Sequence, residues 1–328
     1  MCYVIGGLYM NLKFIEQYTK TYGKRFSRAQ KNKFKQALVT DMESFGYQET
    51  SIEGKRMLVL KAEDYFFGNM KRMKHVIVVP YDTPERKFWP KVYYYPLNGT
   101  KTMNKSLIAG YTPLILMYVF ILVVIYGGGA LIPDPRVQTL LSFIMFAFVL
   151  LLLYMMIHGI GNKKNYNRYS SAVAAAVELA SRLSKDERQQ VAFLFTDKNK
   201  SNFFGAKIAE ERFVKEGKNP NVIVLDTIGH GSVTQIGFNP QNRKFALEVA
   251  KEYPDQTLAI EAIKLDENMR LSTQMAYFRK AIVIASGEVD DQSQLYVLGS
   301  ATGKDQIADE KHINKIVDML ESYIKKQK

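Results

Sequence analysis

Two long uncharged segments dominate the pattern of apolar and polar positions. No charged side chain occurs in residues 106–133, and again none in residues 137–162. A helix needs roughly 20 apolar residues to cross the hydrocarbon core, so each segment is long enough. The alternative is a pair of buried core helices, but such helices seldom stay apolar on every face for this length. The pattern therefore predicts a two-helix transmembrane hairpin at residues 103–162, broken between Gly127–Gly129 and Pro133–Pro135.

The charges that flank these segments predict the orientation of the hairpin. Between the two helices lie one acid, Asp134, and one base, Arg136. The outer flanks are far more basic and carry Arg86, Lys87, Lys91, Lys101 and Lys105 before the hairpin, and Lys163, Lys164 and Arg168 after it. Cationic flanks are held on the cytoplasmic side of a membrane. We therefore expect a two-span protein of the cell membrane with cytoplasmic N- and C-termini.

The rest of the chain alternates short apolar runs with amphipathic stretches. The runs predict strands at His75–Val79, Val191–Phe195, Val222–Leu225 and Ala281–Ile284. The amphipathic stretches predict helices at Ser170–Leu183, Phe203–Glu216, Gln241–Tyr253 and Glu310–Lys325. Strands alternating with helices are typical of an α/β fold with a mainly parallel sheet and helices on both faces.

The segment before the first buried strand has a different pattern. Residues 9–45 predict two basic helices, and the spacing of Ser27 and Gln30 is that of a capping box at the start of the second. Residues 47–62 predict a β-hairpin that turns near Glu53–Gly54. The chain thus divides into residues 1–102 with the N-terminal helices and the first part of the α/β domain, the hairpin at 103–162, and the remainder of that domain at 163–328.

The formal net charge of +13 favours anionic partners. The most basic stretch is Lys20–Arg28, followed by Lys31, Lys33 and Lys35. Binding to nucleic acid is one interpretation, but attraction to anionic lipid is simpler beside a membrane anchor, and a solvated basic face is simpler still. We expect the lipid bilayer and a membrane protein or peptide as partners, and no nucleic acid.

Ligands of parallel sheets bind at the carboxyl ends of the strands. The segments that follow the predicted strands are Pro80–Asp82, Thr196–Lys200, Asp226–His230 and Ser286–Glu288. Taken in order, with Asn167–Ala175, they resemble the co-catalytic zinc aminopeptidase family, which includes bacterial leucine aminopeptidases and glutaminyl cyclases and the ectodomain of transferrin receptor. The family pattern has a strand ending in His-x-Asp, a turn with an Asp that opens an Ala-rich helix, a strand ending in Glu-Glu, and a strand ending in Asp-x-Ile-Gly. The resemblance implies a zinc aminopeptidase-like fold interrupted by the hairpin.

The departures from the family pattern concern its zinc site. The resemblance places Pro80 at the first His ligand, Arg168 at the bridging Asp, Asn199 at the general-base Glu and Lys200 at a ligand Glu. Only Asp226 matches a ligand, and Asp82 matches a supporting Asp behind the ligands. Two neighbouring zinc ions need imidazoles and several carboxylates, and two cations oppose them. The resemblance thus implies a vestigial site without a cofactor, in which Asp82 and Asp226 neutralise Arg168 or Lys200.

Two further residues are candidates for ligand binding. His230 follows a strand and with Asp226 forms the alternative of a single zinc site, although a turn is the simpler reading of its surroundings. Glu288 belongs to an acidic loop that either reaches the cleft or is merely solvated. The function expected is that of a membrane-anchored cytoplasmic pseudopeptidase, a binding or assembly module. The alternatives are an active aminopeptidase or related transferase with a reduced metal site, and a lipid-proximal regulator.

The position of the hairpin predicts where the cleft points. The hairpin enters after Asp82 and leaves just before Asn167, and both positions flank the site in the resembled fold. Both helices should then emerge from the edge of the sheet where ligands bind. We expect the cleft to face the bilayer, with a lipid headgroup or a segment of a membrane protein as its ligand.

Overall fold

The computed structural model describes residues 12–56, 60–87, 91–131, 134–254 and 259–327. Its strands are β1 Glu49–Arg56, β2 Leu60–Phe67, β3 His75–Pro80, β4 Tyr93–Tyr94, β5 Val191–Thr196, β6 Asn221–Leu225, β7 Val233–Phe238, β8 Ala259–Lys264, β9 Ala281–Val289 and β10 Leu295–Leu298. Its helices are α1 Leu12–Glu16, α2 Arg28–Ser44, α3 Gly99–Leu131, α4 Pro135–His158, α5 Ser170–Arg182, α6 Lys185–Gln190, α7 Phe204–Lys215, α8 Arg243–Ala250, α9 Glu267–Leu271 and α10 Glu310–Lys326. A π-helical turn, Gln17–Thr21, continues α1.

One mixed sheet forms the centre of the molecule, in the order β1-β2-β5-β3-β6-β9-β10-β4, with β7 pairing β9 and β8. The strands β5, β3, β6 and β9 are parallel neighbours, as predicted. The pairs β1–β2, β2–β5, β7–β9, β9–β10 and β4–β10 are antiparallel, so the expectation of a mainly parallel sheet is corrected. Parallel pairing requires a crossover connection, whereas short connections such as those of β1–β2 and β9–β10 give antiparallel pairs.

Helices cover both faces of the sheet. On one face, the apolar sides of α2, α5, α8 and α10 pack with alternate side chains of the central strands. On the other, α7 and the turn Gln274–Tyr277 pack with the remaining alternate side chains. Strand β3 is therefore buried over its whole length, which explains its continuous apolar run.

The N-terminal predictions are confirmed in one case and wrong in another. Helix α2 begins with the predicted capping box, in which the Ser27 side chain accepts from the Gln30 backbone and the Gln30 side chain caps Ser27. Glu53–Gly54 is not a turn, because Glu53 pairs with Glu63 and Gly54 with Ala62 inside the ladder. The glycine serves close packing instead, since a Cβ on Gly54 would lie 2.4 Å from Cγ2 of Ile208 on α7.

The two uncharged segments form the consecutive helices α3 and α4. Helix α3 continues through Gly127–Gly129 and ends at Leu131, so the break between the two helices lies inside the predicted tract. Helix α4 begins at Pro135, and the side chain of Asp134 accepts a hydrogen bond from the backbone of Arg136. Within the described residues, one helical segment, Pro135–Met155, is long and apolar enough to cross a membrane. Its mean hydropathy is 2.3, and none of it is buried inside the structure. Helix α3 contains a shorter apolar stretch, Leu114–Val124.

Candidate functional site

A cleft of about 650 Å³ lies at the carboxyl ends of the central strands. Four of the predicted site residues, which are far apart in the sequence, line it together: Asp82, Arg168, Asn199 and Lys200. Pro80 ends β3 and Asp226 follows β6, and neither belongs to the lining. The positions that correspond to the family's zinc site thus lie around one cavity. Asp226 lies next to it and contacts the lining residue Tyr94.

Asp82 and Asn199 form a hydrogen-bonded chain in the floor of the cleft. The Asp82 carboxylate accepts from the Asn199 backbone at 3.1 Å and from its Nδ2 at 2.5 Å. The Asn199 Oδ1 in turn accepts from Gln274 Nε2 at 2.5 Å. Burial, together with the nearby Asp197 carboxylate, raises the pKa of Asp82. Because both ends of the Asn199 amide are occupied, this residue holds the floor together.

Arg168 is held by aromatic rings. Its guanidinium carbon lies 3.9 Å from the ring centre of Tyr94 and 5.1 Å from that of Tyr169. The Tyr94 hydroxyl, at the edge of the same ring, donates to the Asp226 carboxylate at 2.9 and 3.2 Å. Burial raises the pKa of Asp226 to about 6, and the Arg168 charge opposes that rise. Tyr94 therefore contacts both groups, with its ring face on the Arg168 guanidinium and its hydroxyl on the Asp226 carboxylate.

The described residues show no direct ion pair of Asp82 or Asp226 with Arg168 or Lys200, so that part of the prediction is wrong. Lys200 pairs with Glu85, on the rim of the cleft. Arg168 has no carboxylate within 4.0 Å among the described residues, although its charge acts on the Asp226 carboxyl group. Tyr94 was missed because it lies in a two-residue strand with no pattern of its own.

Arg25 extends the cleft beneath the N-terminal helices. It is fully buried and so departs from the interpretation of this stretch as a solvated basic face, whereas Lys20, Arg28 and Lys33 are exposed. Its Nε donates to the Tyr81 carbonyl at 2.5 Å, and its Nη1 atom donates to the carbonyls of Tyr18 and Tyr22 at 3.1 and 2.7 Å. Burial lowers its pKa to about 10. Arg25 therefore remains a cation whose charge is met by carbonyl oxygens.

The lining of the cleft is strongly basic. Six cationic side chains line it, Arg25, Lys31, Lys87, Arg168, Lys198 and Lys200, against two carboxylates, Asp82 and Glu85. The difference is six minus two, or +4, and becomes +3 when Asp197, the ion-pair partner of Lys31, is included. Lys31, Lys87 and Lys198 were not predicted, since isolated lysines carry no signal of where the fold will place them.

His230 and Glu288 are placed elsewhere. Glu288 accepts from the Ser232 backbone at 3.2 Å and from its hydroxyl at 2.5 Å. Burial lowers the pKa of His230, and Glu288 and Asp309 oppose this effect. Neither residue borders the cleft. Over the described ranges, no three His, Cys, Asp or Glu side chains converge as a group suited to a metal ion.

Both long helices meet the domain at the rim of the cleft. Gly99 and Thr102, in the first turns of α3, line it. At the end of α4, a Cβ on Gly159 would lie 2.5 Å from the Glu85 side chain, and Glu85 forms a bridge with Gly161. The two helices thus join the domain at the edge of the sheet where the cleft lies, and their passage through a membrane stays a prediction.

Solved structures with a similar fold cover nearly the whole chain. A glutaminyl cyclase of Bacteroides thetaiotaomicron, bound to N-acetylhistamine, has a TM-score of 0.59 and 14% identity, covering 98% of this chain and 100% of its own. A leucine aminopeptidase precursor of the same organism has a TM-score of 0.59 and 14% identity, covering 99% and 100%. A Zn-dependent exopeptidase of Parabacteroides distasonis has a TM-score of 0.58 and 12% identity, covering 95% of each chain.

Sequence comparisons give a different result: no family model and no curated protein matches the chain. The similarity is therefore one of fold, because sequence identities this low do not establish a relationship by themselves. It agrees with the resemblance drawn from the segments at the strand ends. The chain has the aminopeptidase-like fold shared by the glutaminyl cyclase, leucine aminopeptidase and zinc-dependent exopeptidase structures.

Proposed function

We propose that the chain is a membrane-anchored pseudopeptidase, in which an aminopeptidase-like domain binds a ligand or partner instead of cleaving peptides. The carrying observation is the arrangement of Arg168, Tyr94 and Asp226, in which the Tyr94 ring face contacts the Arg168 guanidinium and the Tyr94 hydroxyl bonds to Asp226. A cation occupies the position that the resemblance gives to a bridging carboxylate. The one matching ligand, Asp226, does not line the cleft, and its carboxylate is engaged by the Tyr94 hydroxyl.

The side chains present do not fit a pair of zinc ions. Such a pair needs nitrogen and carboxylate donors, but Pro80 offers none and Lys200 is a cation. Asn199 is engaged at both ends, and the single Tyr94 hydroxyl lies within hydrogen-bond distance of both Asp226 carboxylate oxygens. No reaction step is therefore assigned to a metal.

The membrane anchor rests on the exposure of α3 and α4. Of the 25 large hydrophobic side chains exposed in the described residues, 19 lie on these two helices. A core helix would be buried and a signal sequence would lie near the N-terminus, whereas Pro135–Met155 is unburied and central in the chain. Helix α3 supplies the second span in this proposal, since its 33 residues extend about 50 Å. The basic flanks then place both termini in the cytoplasm.

The metal content of the detergent-purified full-length chain tests the proposal. We expect well below one zinc per chain, no fall in the melting temperature with a chelator, and no hydrolysis of aminoacyl reporter substrates. A metal bound only by the folded state would stabilise it by about 3 kcal/mol at a hundred times its dissociation constant. Asp226→Asn serves as the matched variant. Stoichiometric zinc that disappears in this variant, or a large chelator-induced drop in melting temperature, would show that the site is still metallated.

A further inference from the structure

We infer that the cleft binds a phosphate group, presented to it by a lipid headgroup at the membrane surface. This inference rests on the proposed function, because a zinc-free cleft is what leaves its cations available. It also names the class of ligand that the pseudopeptidase takes.

The charge of the cleft selects an anion. The surplus of +3 to +4 is enclosed by the walls of a cavity of about 650 Å³. Cavities of this kind focus the potential and concentrate oppositely charged ligands. A guanidinium group also matches the oxygens of phosphate in a planar, two-point geometry. A multiply charged oxyanion therefore complements this lining better than a neutral peptide does.

Several of these cations have hydrogen-bond donors without an acceptor, or a charge without an ion-pair partner, among the described residues. Arg168 donates one side-chain hydrogen bond among the described residues, to the Tyr169 hydroxyl at 3.3 Å, and its buried Nε has no partner there. Lys87 and Lys198 line the same cavity, and no described carboxylate lies within ion-pair distance of either. The unpartnered Nε of Arg168 is a buried donor, which costs free energy, while Lys87 and Lys198 are half-buried and open to a ligand. An incoming oxyanion that accepts from these cations is therefore favoured.

The backbone around the cleft is also strained. Six non-glycine residues have a positive φ in the described chain, and four of them line the cleft: Tyr169 at 71°, Lys198 at 56°, Phe203 at 52° and Ala301 at 61°. Such conformations cost about 1–3 kcal/mol each and gather at ligand-binding sites. Their clustering here is consistent with a cavity shaped for a ligand.

The depth of the cleft matches the headgroup layer. Thr102 lines the cleft and the uncharged run of α3 begins at Ser106, four residues or about 6 Å further along the helix. At the other end, Gly159 caps α4 and contacts Glu85 on the rim. The headgroup region of one leaflet is about 5–8 Å thick. Phosphates of neighbouring lipids therefore lie at the height of the cleft, although a soluble phosphate compound has the same chemistry.

Binding to the detergent-purified full-length chain tests this inference, with a chelator present so that no metal contributes. The probes are dioctanoyl phosphatidic acid, dioctanoyl phosphatidylglycerol, dioctanoyl phosphatidylcholine, glycerol 3-phosphate and inorganic phosphate, at matched ionic strength. The test variant is Lys87→Gln/Lys198→Gln. The control is Lys244→Gln/Lys251→Gln on or just after α8, since Lys244 is 91% exposed and the charge change is the same.

We expect the two anionic lipids to bind, and the Lys87→Gln/Lys198→Gln variant to bind them about 30-fold more weakly, at roughly fivefold for each cation. The control should bind as the wild type does. If the double variant does not fold, the two single variants should each lose about fivefold. Tighter binding of the lipids than of glycerol 3-phosphate identifies a lipid source, and equal binding identifies a soluble phosphate, which overturns the lipid part alone.

Three results would overturn the inference: no binding of any phosphate probe, equal binding of phosphatidylcholine, or an equal loss in the control variant. These failures are separate from failure of the proposed function. A zinc-free chain that does not bind phosphate is still consistent with a pseudopeptidase, but one that binds a different ligand. A chain that holds stoichiometric zinc before chelation contradicts the pseudopeptidase, whatever it binds.

Discussion

At the scale of single residues, the buried carboxyl group of Asp305 couples folding to pH. Its Oδ1 accepts from the Asn167 backbone at 2.8 Å, while its Oδ2 has no partner among the described residues. Burial raises its pKa to about 7. An unfolded aspartate ionises near pH 4, so between about pH 4 and 7 the unfolded chain loses this proton first. The free energy of unfolding should therefore fall as the pH rises through this window, by roughly 4 kcal/mol at most.

The variant Asp305→Asn removes this contribution. Its melting temperature should change less between pH 5 and pH 8 than that of the wild type, and the difference between the two proteins isolates Asp305 from Asp82 and Asp226. Asp291→Asn, in an exposed loop, is the control and should follow the wild type. The assignment fails if Asp305→Asn keeps the pH dependence of the wild type.

At the scale of elements, the contact between β1 and α7 depends on Gly54. A side chain there would meet Ile208 at distances no real Cβ shows. We predict that Gly54→Val lowers the free energy of unfolding by about 1–3 kcal/mol through overpacking. Adding Ile208→Ala should restore part of the loss, although Ile208→Ala alone destabilises. Thermal unfolding of the four proteins measures the coupling, and additive effects would contradict the contact.

The sequence predicts the buried elements best. The apolar run of β3 and the Ala-rich sequence of α5 are both typical of buried elements, and both elements are buried in the structure. The peripheral strands β7, β8 and β10 were missed, because strands at the margin of a sheet lack a continuous apolar run. Gly54 was misread as a turn, since a glycine required by a neighbouring helix looks the same in sequence as one required by a turn.

The site follows the same division. Asp82, Arg168, Asn199 and Lys200 were found because they directly follow a buried strand or precede a buried helix, in a recognisable order. Tyr94 and Arg25 were not, because their roles depend on contacts with distant segments. The ion-pair partners were misassigned for the same reason: charge alone does not tell which side chains the fold brings into contact.

At the scale of the whole molecule, the proposed topology makes the α3–α4 connection the part exposed outside the cell. In a Cys2→Ser background, a cysteine at Arg136→Cys should react with a membrane-impermeant thiol reagent applied to intact cells. A cysteine at Lys218→Cys, in the α7–β6 connection, should react only after lysis. Labelling of Lys218→Cys in sealed cells, or protection of Arg136→Cys, would rule out this orientation.

The sheet order has a consequence for the time course of synthesis. Strand β3 lies between β5 and β6, yet both of these follow the hairpin in the chain. From Pro80 to Val191 the ribosome must add about 110 residues before the first neighbour of β3 begins to appear. At about 5–20 residues per second, that interval is roughly 5 to 20 seconds. During this interval the apolar strand β3 has neither of its two neighbours. In the proposed topology α3 and α4 enter the membrane in the same interval, so insertion would precede closure of the domain.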